Sequence, residues 1–305
     1  MDPLSDILAL MRPSCSGFRG IDAGGDWAVT FAPAEGMLCF AIETGACWLR
    51  LGGAAAPSRL ESGDVVLLTG GGEVSLYSCE TAEFLDAVTF LSSVPAGETA
   101  LLNGGGDCRG IGGLFGLAGS HGRGLLAALP PLVHIHGEAS KAVLYAGVQR
   151  LMSELREPRP GGALIANHLA QALLIEALRA HLDSAVTNQS WLAALSVPTL
   201  RRAMTAMHAD VARRWTLRDL ASTAGMSRSS FAATFERVTG ETPIAYLTGW
   251  RMFLAADRLV RSRLSLTEVA ASVGYESESA FGAAFKRVMD CSPRQYRTST
   301  SPALD

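Results

Sequence analysis

Residues 266–297 read LTEVAASVGYESESAFGAAFKRVMDCSPRQYR, and residues 217–243 read LRDLASTAGMSRSSFAATFERVTGETP. The two stretches share one pattern: an apolar-spaced segment, a glycine, a serine, and then two phenylalanines four residues apart. The offset between the copies is 49 residues before the turn and 50 after it, so one extra residue lies in the second turn. Each copy predicts a helix, a tight turn at Gly225 or Gly274, and a second helix that buries its phenylalanines. The sequence therefore predicts two helix-turn-helix units.

The second helix of each unit has the features of a helix that reads DNA. Ser227 is a natural N-cap for a helix over 228–238 that ends at Gly240, and Ser277 caps a helix over 278–289. A helix in the major groove needs cations for phosphates and short side chains that reach base edges near its N-terminus. The cations expected to contact phosphates are Arg228, Arg237, Lys286 and Arg287, and the hydroxyls expected to reach bases are Ser229, Ser230 and Ser279.

A helix over 244–263 is predicted to join the two units as a rigid connector. If both second helices enter successive major grooves on one DNA face, they lie about 34 Å apart. Arg251 on the connector is a weaker phosphate candidate, because an internal ion pair explains it equally well. The full set of candidate DNA contacts is Arg228, Ser229, Ser230, Ala233, Thr234, Arg237, Arg251, Ser277, Ser279, Ala280, Ala283, Lys286 and Arg287.

Charge is distributed unevenly along the chain. Residues 1–190 hold 11 Lys+Arg against 19 Asp+Glu, a net −8, whereas residues 191–305 hold 15 against 10, a net +5. An acidic half joined to a basic half predicts that only the second meets an anionic partner. No apolar run reaches membrane-spanning length and no signal peptide is recognisable, so the expected location is the cytoplasm, away from the membrane.

The acidic half predicts a small antiparallel β-barrel followed by helices. Short apolar or alternating runs separated by Gly and Pro lie at 27–31, 37–42, 47–51, 65–68 and 74–77. A turn feeding a strand, at 61–68, is common in cupin-like barrels. After the Gly-rich stretch 103–124, helices are predicted over 141–155 and 163–182. These helices either pack on the barrel or dimerise, and one helix can do both with different faces.

Candidate chemistry in the acidic half is sparse. His134 and His136 would face the same way on a strand, as metal ligands must, but they follow two prolines and more simply lie in a connector. We expect no metal, no cofactor and no enzymatic active site. The cysteines are either small buried hydrophobes or redox-sensing thiols. The candidate redox thiols are Cys39, Cys47, Cys79 and Cys108.

These residues resemble the AraC/XylS family of transcription regulators. The likeness is carried in the basic half by residues 274–287 and 292–297. The rest of the chain resembles the cupin-bearing branch of that family at residues 2–6, 25–27, 63–68, 129–134 and 191–195. The resemblance implies an α+β chain. It has an N-terminal cupin-like effector-sensing and dimerisation domain over 1–185, a linker over 186–198, and an all-α AraC-type DNA-binding domain with two helix-turn-helix units over 199–300. The partners it implies are promoter DNA, a second copy of the chain, a small-molecule effector and RNA polymerase.

Two departures from the family pattern bear on function. The positions where the family places long polar side chains fall here on Ser229, Ala232, Ala233, Ser279, Ala280 and Ala283. Alanine cannot hydrogen-bond a base, so thymine methyls and DNA shape gain importance. The branch's usual histidine after residues 64–68 is also missing. Three function classes remain: a regulator that senses a small molecule or redox state, an architectural or antagonist dimer that reads DNA weakly, and a metal-dependent cupin enzyme fused to a DNA-binding domain.

Overall fold

The computed structural model describes residues 2–34, 36–53, 56–69, 72–117, 128–135, 138–157, 159–183 and 189–300. Contacts divide the chain into two compact units. The barrel unit is Met11–Val186, and the helical unit consists of Met1–Leu10 together with Thr187–Asp305.

This division differs from the expected domains in two places. Residues 1–10, expected in the cupin-like domain, group with the helical unit. Part of the expected linker over 186–198 is helix, at Trp191–Ser196. An apolar run requires packing neighbours, which a linker would not supply. The buried residues of that helix are Leu192, Ala193, Ala194 and Leu195.

The barrel unit is built from two sheets. One has the strand order β11-β6-β3-β10-β1-β9 and the other β5-β4-β7-β2-β8. Neighbouring strands are antiparallel except for the edge pairs β1–β9 and β2–β8, which are parallel. The strands are β1 (Ser14–Ala23), β2 (Ala28–Phe31), β3 (Met37–Thr44), β4 (Ala46–Leu51), β5 (Ser58–Glu61), β6 (Val65–Leu68), β7 (Val74–Tyr77), β8 (Phe84–Asp86), β9 (Thr99–Leu102), β10 (Cys108–Gly116) and β11 (Leu132–Ile135).

The five predicted strands are confirmed as β2, β3, β4, β6 and β7, whereas β10 was hidden in the Gly-rich stretch. Glycine weakens a strand in sequence terms because it brings no side chain to pack. In β10, however, the lack of a side chain at two glycines lets aromatic rings approach the backbone. A Cβ at Gly113 would lie 2.3 Å from the ring of Phe18, and one at Gly112 would lie 2.7 Å from the ring of Phe40. The two aromatic rings therefore lie directly on the backbone of β10.

Three helices complete the barrel unit: α2 (Ala87–Leu91), α3 (Glu138–Arg156) and α4 (Gly162–Asp183). The last two confirm the predicted helical pair. Near the start of α3, Lys141 Nζ lies 2.8 Å from Asp64 Oδ1, and His134 Nε2 lies 3.3 Å from the same oxygen. Burial acts to raise the pKa of Asp64, but hydrogen bonds from Lys141, the Glu61 amide and His134 outweigh it and lower that pKa. This cluster ties α3 to β6 and β11.

The expected position of His134 in a connector is wrong. It lies on β11, opposite Val66 of β6. The two preceding prolines do not prevent pairing, because they end just before the strand begins. His136, the second residue of the suggested pair, lies outside the described residues.

The helical unit consists of helices around aromatic cores. They are α1 (Pro3–Met11), α5 (Trp191–Ser196), α6 (Pro198–Ala209), α7 (Leu217–Ala224), α8 (Arg228–Thr239), α9 (Pro243–Arg261), α10 (Leu266–Ser272), α11 (Glu278–Met289) and α12 (Pro293–Thr300). The predicted connector is α9, and the predicted second helices are α8 and α11. The core of the second helix-turn-helix is formed by α9, α10 and α11, with Met252, Val269, Phe281 and Phe285 buried together.

Candidate functional site

Both turns depend on a glycine with positive φ. Gly225 (φ +71°) follows α7, and Gly274 (φ +81°) follows α10. After each glycine the next amide reaches back into the helix, from Met226 to the Ala221 carbonyl and from Tyr275 to the Ala270 carbonyl, both at 2.9 Å. A Cβ at Gly274 would lie 2.4 Å from the Ala212 carbonyl oxygen, so the second turn excludes a side chain sterically as well.

Serine caps set the start of α8 and α11, the second helices of the two units, which we call the recognition helices. The Ser227 hydroxyl accepts the Ser230 amide at 3.3 Å, and the Ser277 hydroxyl accepts the Ala280 amide at 3.2 Å. The Ser277 side chain, a candidate DNA contact, is therefore engaged in capping α11.

The buried face is the same in both units. The rings of Phe231 and Phe235 have centroids 5.7 Å apart, and those of Phe281 and Phe285 are 5.6 Å apart, with similar tilts of 55° and 58°. All four rings are fully buried. Burying this stripe leaves the opposite side of each helix in solvent. The exposed residues are Arg228, Ser229, Ser230, Ala233, Glu236 and Arg237 on α8, and Glu278, Ser279, Ala280, Ala283, Lys286 and Arg287 on α11.

Four basic side chains on these faces have no ion pair or hydrogen bond within the described part of the chain: Arg228, Arg237, Lys286 and Arg287. Arg237 and Arg287 occupy equivalent positions, 50 residues apart. Thr234, by contrast, is half-buried, and its equivalent Ala284 is buried. The structure thus brings the predicted cations and hydroxyls to solvent while turning Thr234 partly inward.

Several other arginines of the helical unit hold backbone carbonyls instead. Arg202 donates to the Ala224 carbonyl at 2.7 Å, and Arg258 donates to the Ser272 carbonyl at 2.9 Å, so each fixes the last turn of a first helix. Arg297 donates to the carbonyls of Leu259 and Leu264. Part of the positive charge of this half therefore serves the fold. Sequence spacing gave no sign of these roles, because each joins residues on different helices.

Arg251 belongs with this second group. Its Nε donates to the Val211 carbonyl at 2.9 Å and its Nη2 to the Arg213 carbonyl at 2.7 Å. Its guanidinium also lies 5.9 Å from the ring centre of Tyr275, and burial lowers its pKa. Of the two explanations left open for Arg251, neither a phosphate contact nor an ion pair matches these bonds. The guanidinium holds the segment after α6 against α9.

The four candidate thiols separate into a pair and two isolated residues. Cys47 on β4 and Cys108 on β10 lie in one core cluster, and the hydrogen bond between them raises the pKa of Cys47 and lowers that of Cys108. Cys39 is buried elsewhere, and burial raises its pKa to about 12. Cys79 is half-buried, with its sulfur 3.4 Å from the Thr81 hydroxyl.

The barrel interior contains a cavity of about 390 Å³ whose wall includes Trp27, Phe40, Leu76, Cys47 and Cys108. Within the described ranges, no cluster of three or more His, Cys, Asp or Glu residues is arranged to hold a metal ion. Over the same residues, the helices are too short or too polar to span a membrane.

Comparison with known proteins finds one family match in each half of the chain. The Cupin family matches residues 2–183, and the Helix-turn-helix domain family matches residues 220–299. An AraC-like transcription regulator of Streptomyces lividans is 39% identical over 97% of this chain and 98% of its own length, and one of Streptomyces antibioticus is 38% identical over 99% and 100%. The HTH-type transcriptional regulator AlkR of Acinetobacter baylyi is 32% identical over 97% and 99%. Full-length similarity at this level, together with two exposed recognition helices on a cupin-bearing chain, makes this protein a member of the AraC-like family of DNA-binding transcription regulators.

Proposed function

We propose that the protein is a sequence-specific regulator that reads promoter DNA with the exposed faces of α8 and α11. The observation that carries this proposal is a pair of equivalent helices with exposed basic side chains that can contact phosphates. Both helices also have a serine cap at the N-terminus. Arg228, Arg237, Lys286 and Arg287 contact phosphates, while Ser229, Ser230 and Ser279 reach base edges. Arg251 is left out of the set, because its guanidinium is held by two carbonyls.

Three exposed alanines, Ala233, Ala280 and Ala283, affect how the protein recognises the DNA sequence. These exposed methyl groups offer no hydrogen bond and match the thymine C5-methyl by apolar contact. Specificity therefore depends on thymine methyls and on DNA shape more than on donor and acceptor edges.

Binding of the full-length protein to its own upstream DNA, measured across a salt series against a scrambled duplex of equal length, tests this function. We expect tight, salt-sensitive binding with a preference for the native sequence. Equal binding to both duplexes would favour the architectural or antagonist alternative.

The barrel unit serves, in this proposal, as the sensing and dimerisation domain, with a small molecule in its cavity. Exposed apolar side chains on α3 and α4 support a homodimer, among them Val143 at 56% and Leu164 at 63% exposure. If the protein activates transcription, RNA polymerase is a further partner. The molar mass of the Leu164→Glu variant, measured by light scattering, tests the dimer. If α4 forms the contact, the variant should be a monomer, because the substitution puts a charge into an apolar interface.

A redox signal is the second candidate, favoured by the Cys47–Cys108 pair. Peroxide would convert the two thiols to one disulfide and two waters, with Cys108 attacking first because the bond from Cys47 favours its thiolate. Treatment with hydrogen peroxide and peptide mass analysis should find a 47–108 disulfide, absent in Cys108→Ser and retained in Cys39→Ser. Unchanged DNA binding after that disulfide forms would exclude it as a signal.

A further inference from the structure

One strand of the cavity wall carries few large side chains on the face that lines the cavity. Alternate residues of a strand face the same side, and Cys108, Gly110, Gly112 and Leu114 of β10 all line the cavity. Three of these four are small. At Gly112, the missing Cβ lets the Phe40 ring lie against the backbone of β10. A small barrel is usually filled by its own side chains, and here the interior is left hollow instead.

The wall of the cavity is predominantly apolar. Aliphatic and aromatic side chains from both sheets surround it, including Trp27, Val29, Phe31, Ile42 and Leu76. Water gains few hydrogen bonds in such a space, whereas an apolar molecule removes both its own surface and the wall's surface from water. The cavity therefore favours a hydrocarbon over a sugar or a nucleotide.

Polar groups collect at one end. Ser16, Gly17 and Arg19 line the cavity where the β1–β10 register shifts, and Ser92 lies beside them after α2. Arg19 donates Nε to the Val94 carbonyl at 2.6 Å and Nη1 to the Gly17 carbonyl at 3.1 Å. In the described part of the chain, no protein acceptor takes the Nη2 hydrogens of Arg19. A fixed guanidinium with a remaining donor is suited to a hydrogen-bond acceptor.

The polar end and the thiol end are far apart. On β10, Leu114 lies opposite Ser16 and Cys108 lies opposite Ala23, so the wall runs over six residue steps, or about 20 Å at the rise of a strand. Short helix α2 forms part of the wall near the polar end, and its Val88 both lines the cavity and is 70% exposed. Because Val88 is both exposed and in the cavity wall, we infer that the cavity opens to solvent there and that an apolar molecule can enter past it.

We propose that this cavity binds an elongated aliphatic molecule whose single polar head accepts a hydrogen bond from Arg19, while its chain extends toward Cys108. The proposal rests on the proposed role of the barrel unit as the sensing domain and names the chemical class of its ligand. Alcohols and carboxylates share this chemistry, since both carry an acceptor oxygen at the end of a chain.

Calorimetric titration of the full chain with straight-chain alcohols and carboxylates of increasing length, and with a hexose as polar control, tests the ligand class. We expect one site per chain, an affinity that rises about fourfold per methylene until the cavity is filled, and no binding of the hexose. Leu76→Phe, which narrows the cavity, should lower the affinity for long-chain alcohols and carboxylates more than for short ones. Leu101→Phe, at an exposed position of β9 outside the cavity wall, should leave binding unchanged.

Arg19→Gln tests the head group, with Arg59→Gln as the control at an exposed position of the same unit. Arg19→Gln should lower the affinity for the carboxylates by about tenfold or more. The affinity for the alcohols should fall by a smaller factor. Equal affinity in Arg19→Gln and the unaltered protein would overturn the head-group assignment. Binding of the hexose in preference to every chain would overturn the apolar class.

DNA binding measured on the same protein separates this proposal from the function on which it rests. Saturable chain binding that leaves DNA affinity unchanged supports the ligand class and argues against the barrel as a sensor. Intact DNA binding without binding of any chain overturns the ligand class and leaves the regulator role standing.

Discussion

The carboxylate of Asp6 lies 3.2 Å from Nδ1 of His208, and the two residues are 202 positions apart in the sequence. The other ring nitrogen of His208 lies 2.8 Å from the Tyr246 hydroxyl. A carboxylate accepts only, so Nδ1 carries the proton and Nε2 accepts the hydrogen bond of Tyr246. The ring also stacks on Trp250 at 4.1 Å. One neutral histidine thus joins α1, α6 and α9.

Burial of His208 predicts loss of stability in mild acid. Burial lowers its pKa from 6.5 to about 3, so its contribution is full above pH 6.5 and is lost as pH falls from there toward pH 3. We expect the free energy of unfolding to fall by up to about 1.4 kcal/mol per pH unit in that range. Denaturation followed by tryptophan fluorescence at pH 7.5 and 5.5 measures it. His208→Gln should remove this part of the loss, and His168→Gln, at an exposed position, should not.

Removing the two cations at the end of α11 should weaken DNA binding irrespective of sequence. Lys286→Ala with Arg287→Ala is expected to lower the slope of log affinity against log salt by up to about two units, because two phosphate contacts are lost. The control Arg59→Ala with Arg179→Ala removes equal charge from exposed positions of the barrel unit. Identical slopes for the two double variants would take Lys286 and Arg287 out of the interface.

Arg251→Ala should act on stability and leave the salt slope unchanged. The substitution leaves the carbonyls of Val211 and Arg213 without their guanidinium partner, at a cost of about 1–3 kcal/mol. Lysine cannot donate to both carbonyls with the same fork, so Arg251→Lys should recover only part of the loss. Denaturant unfolding and a salt titration on the same variants check both points; a reduced slope with unchanged stability would restore Arg251 as a phosphate contact.

The two recognition helices end differently at equivalent positions. Gly240 follows α8 with φ +82°, and Asp290 follows α11 with φ +57°. A residue with a Cβ is strained in the left-handed backbone conformation, whereas glycine is not. Asp290→Gly should therefore stabilise the protein by up to about 1 kcal/mol. The reciprocal Gly240→Asp should destabilise it by a similar amount. A rise in the unfolding midpoint for Gly240→Asp would contradict this account of the caps.

Local rules predicted the helical unit well and the barrel unit less completely. Ser277, Gly240 and the paired phenylalanines act within one or two helical turns, so the start of α11 and the end of α8 follow from residues that are near in sequence. Strand β10 escaped prediction because its glycines have low strand propensity. It forms through pairing with β1 and β3, which are distant in sequence, and the rings of Phe18 and Phe40 pack on it.

The sequence by itself determined the two helix-turn-helix units, their caps and the exposed cations of α8 and α11, because caps, turns and helical periodicity act over short stretches of chain. Tertiary structure alone decided three further relationships. Arg251 meets the carbonyls that follow α6, Cys47 meets Cys108, and Asp6 meets His208. Each joins residues tens to hundreds of positions apart, and such a meeting depends on how strands and helices pack, which no local pattern encodes.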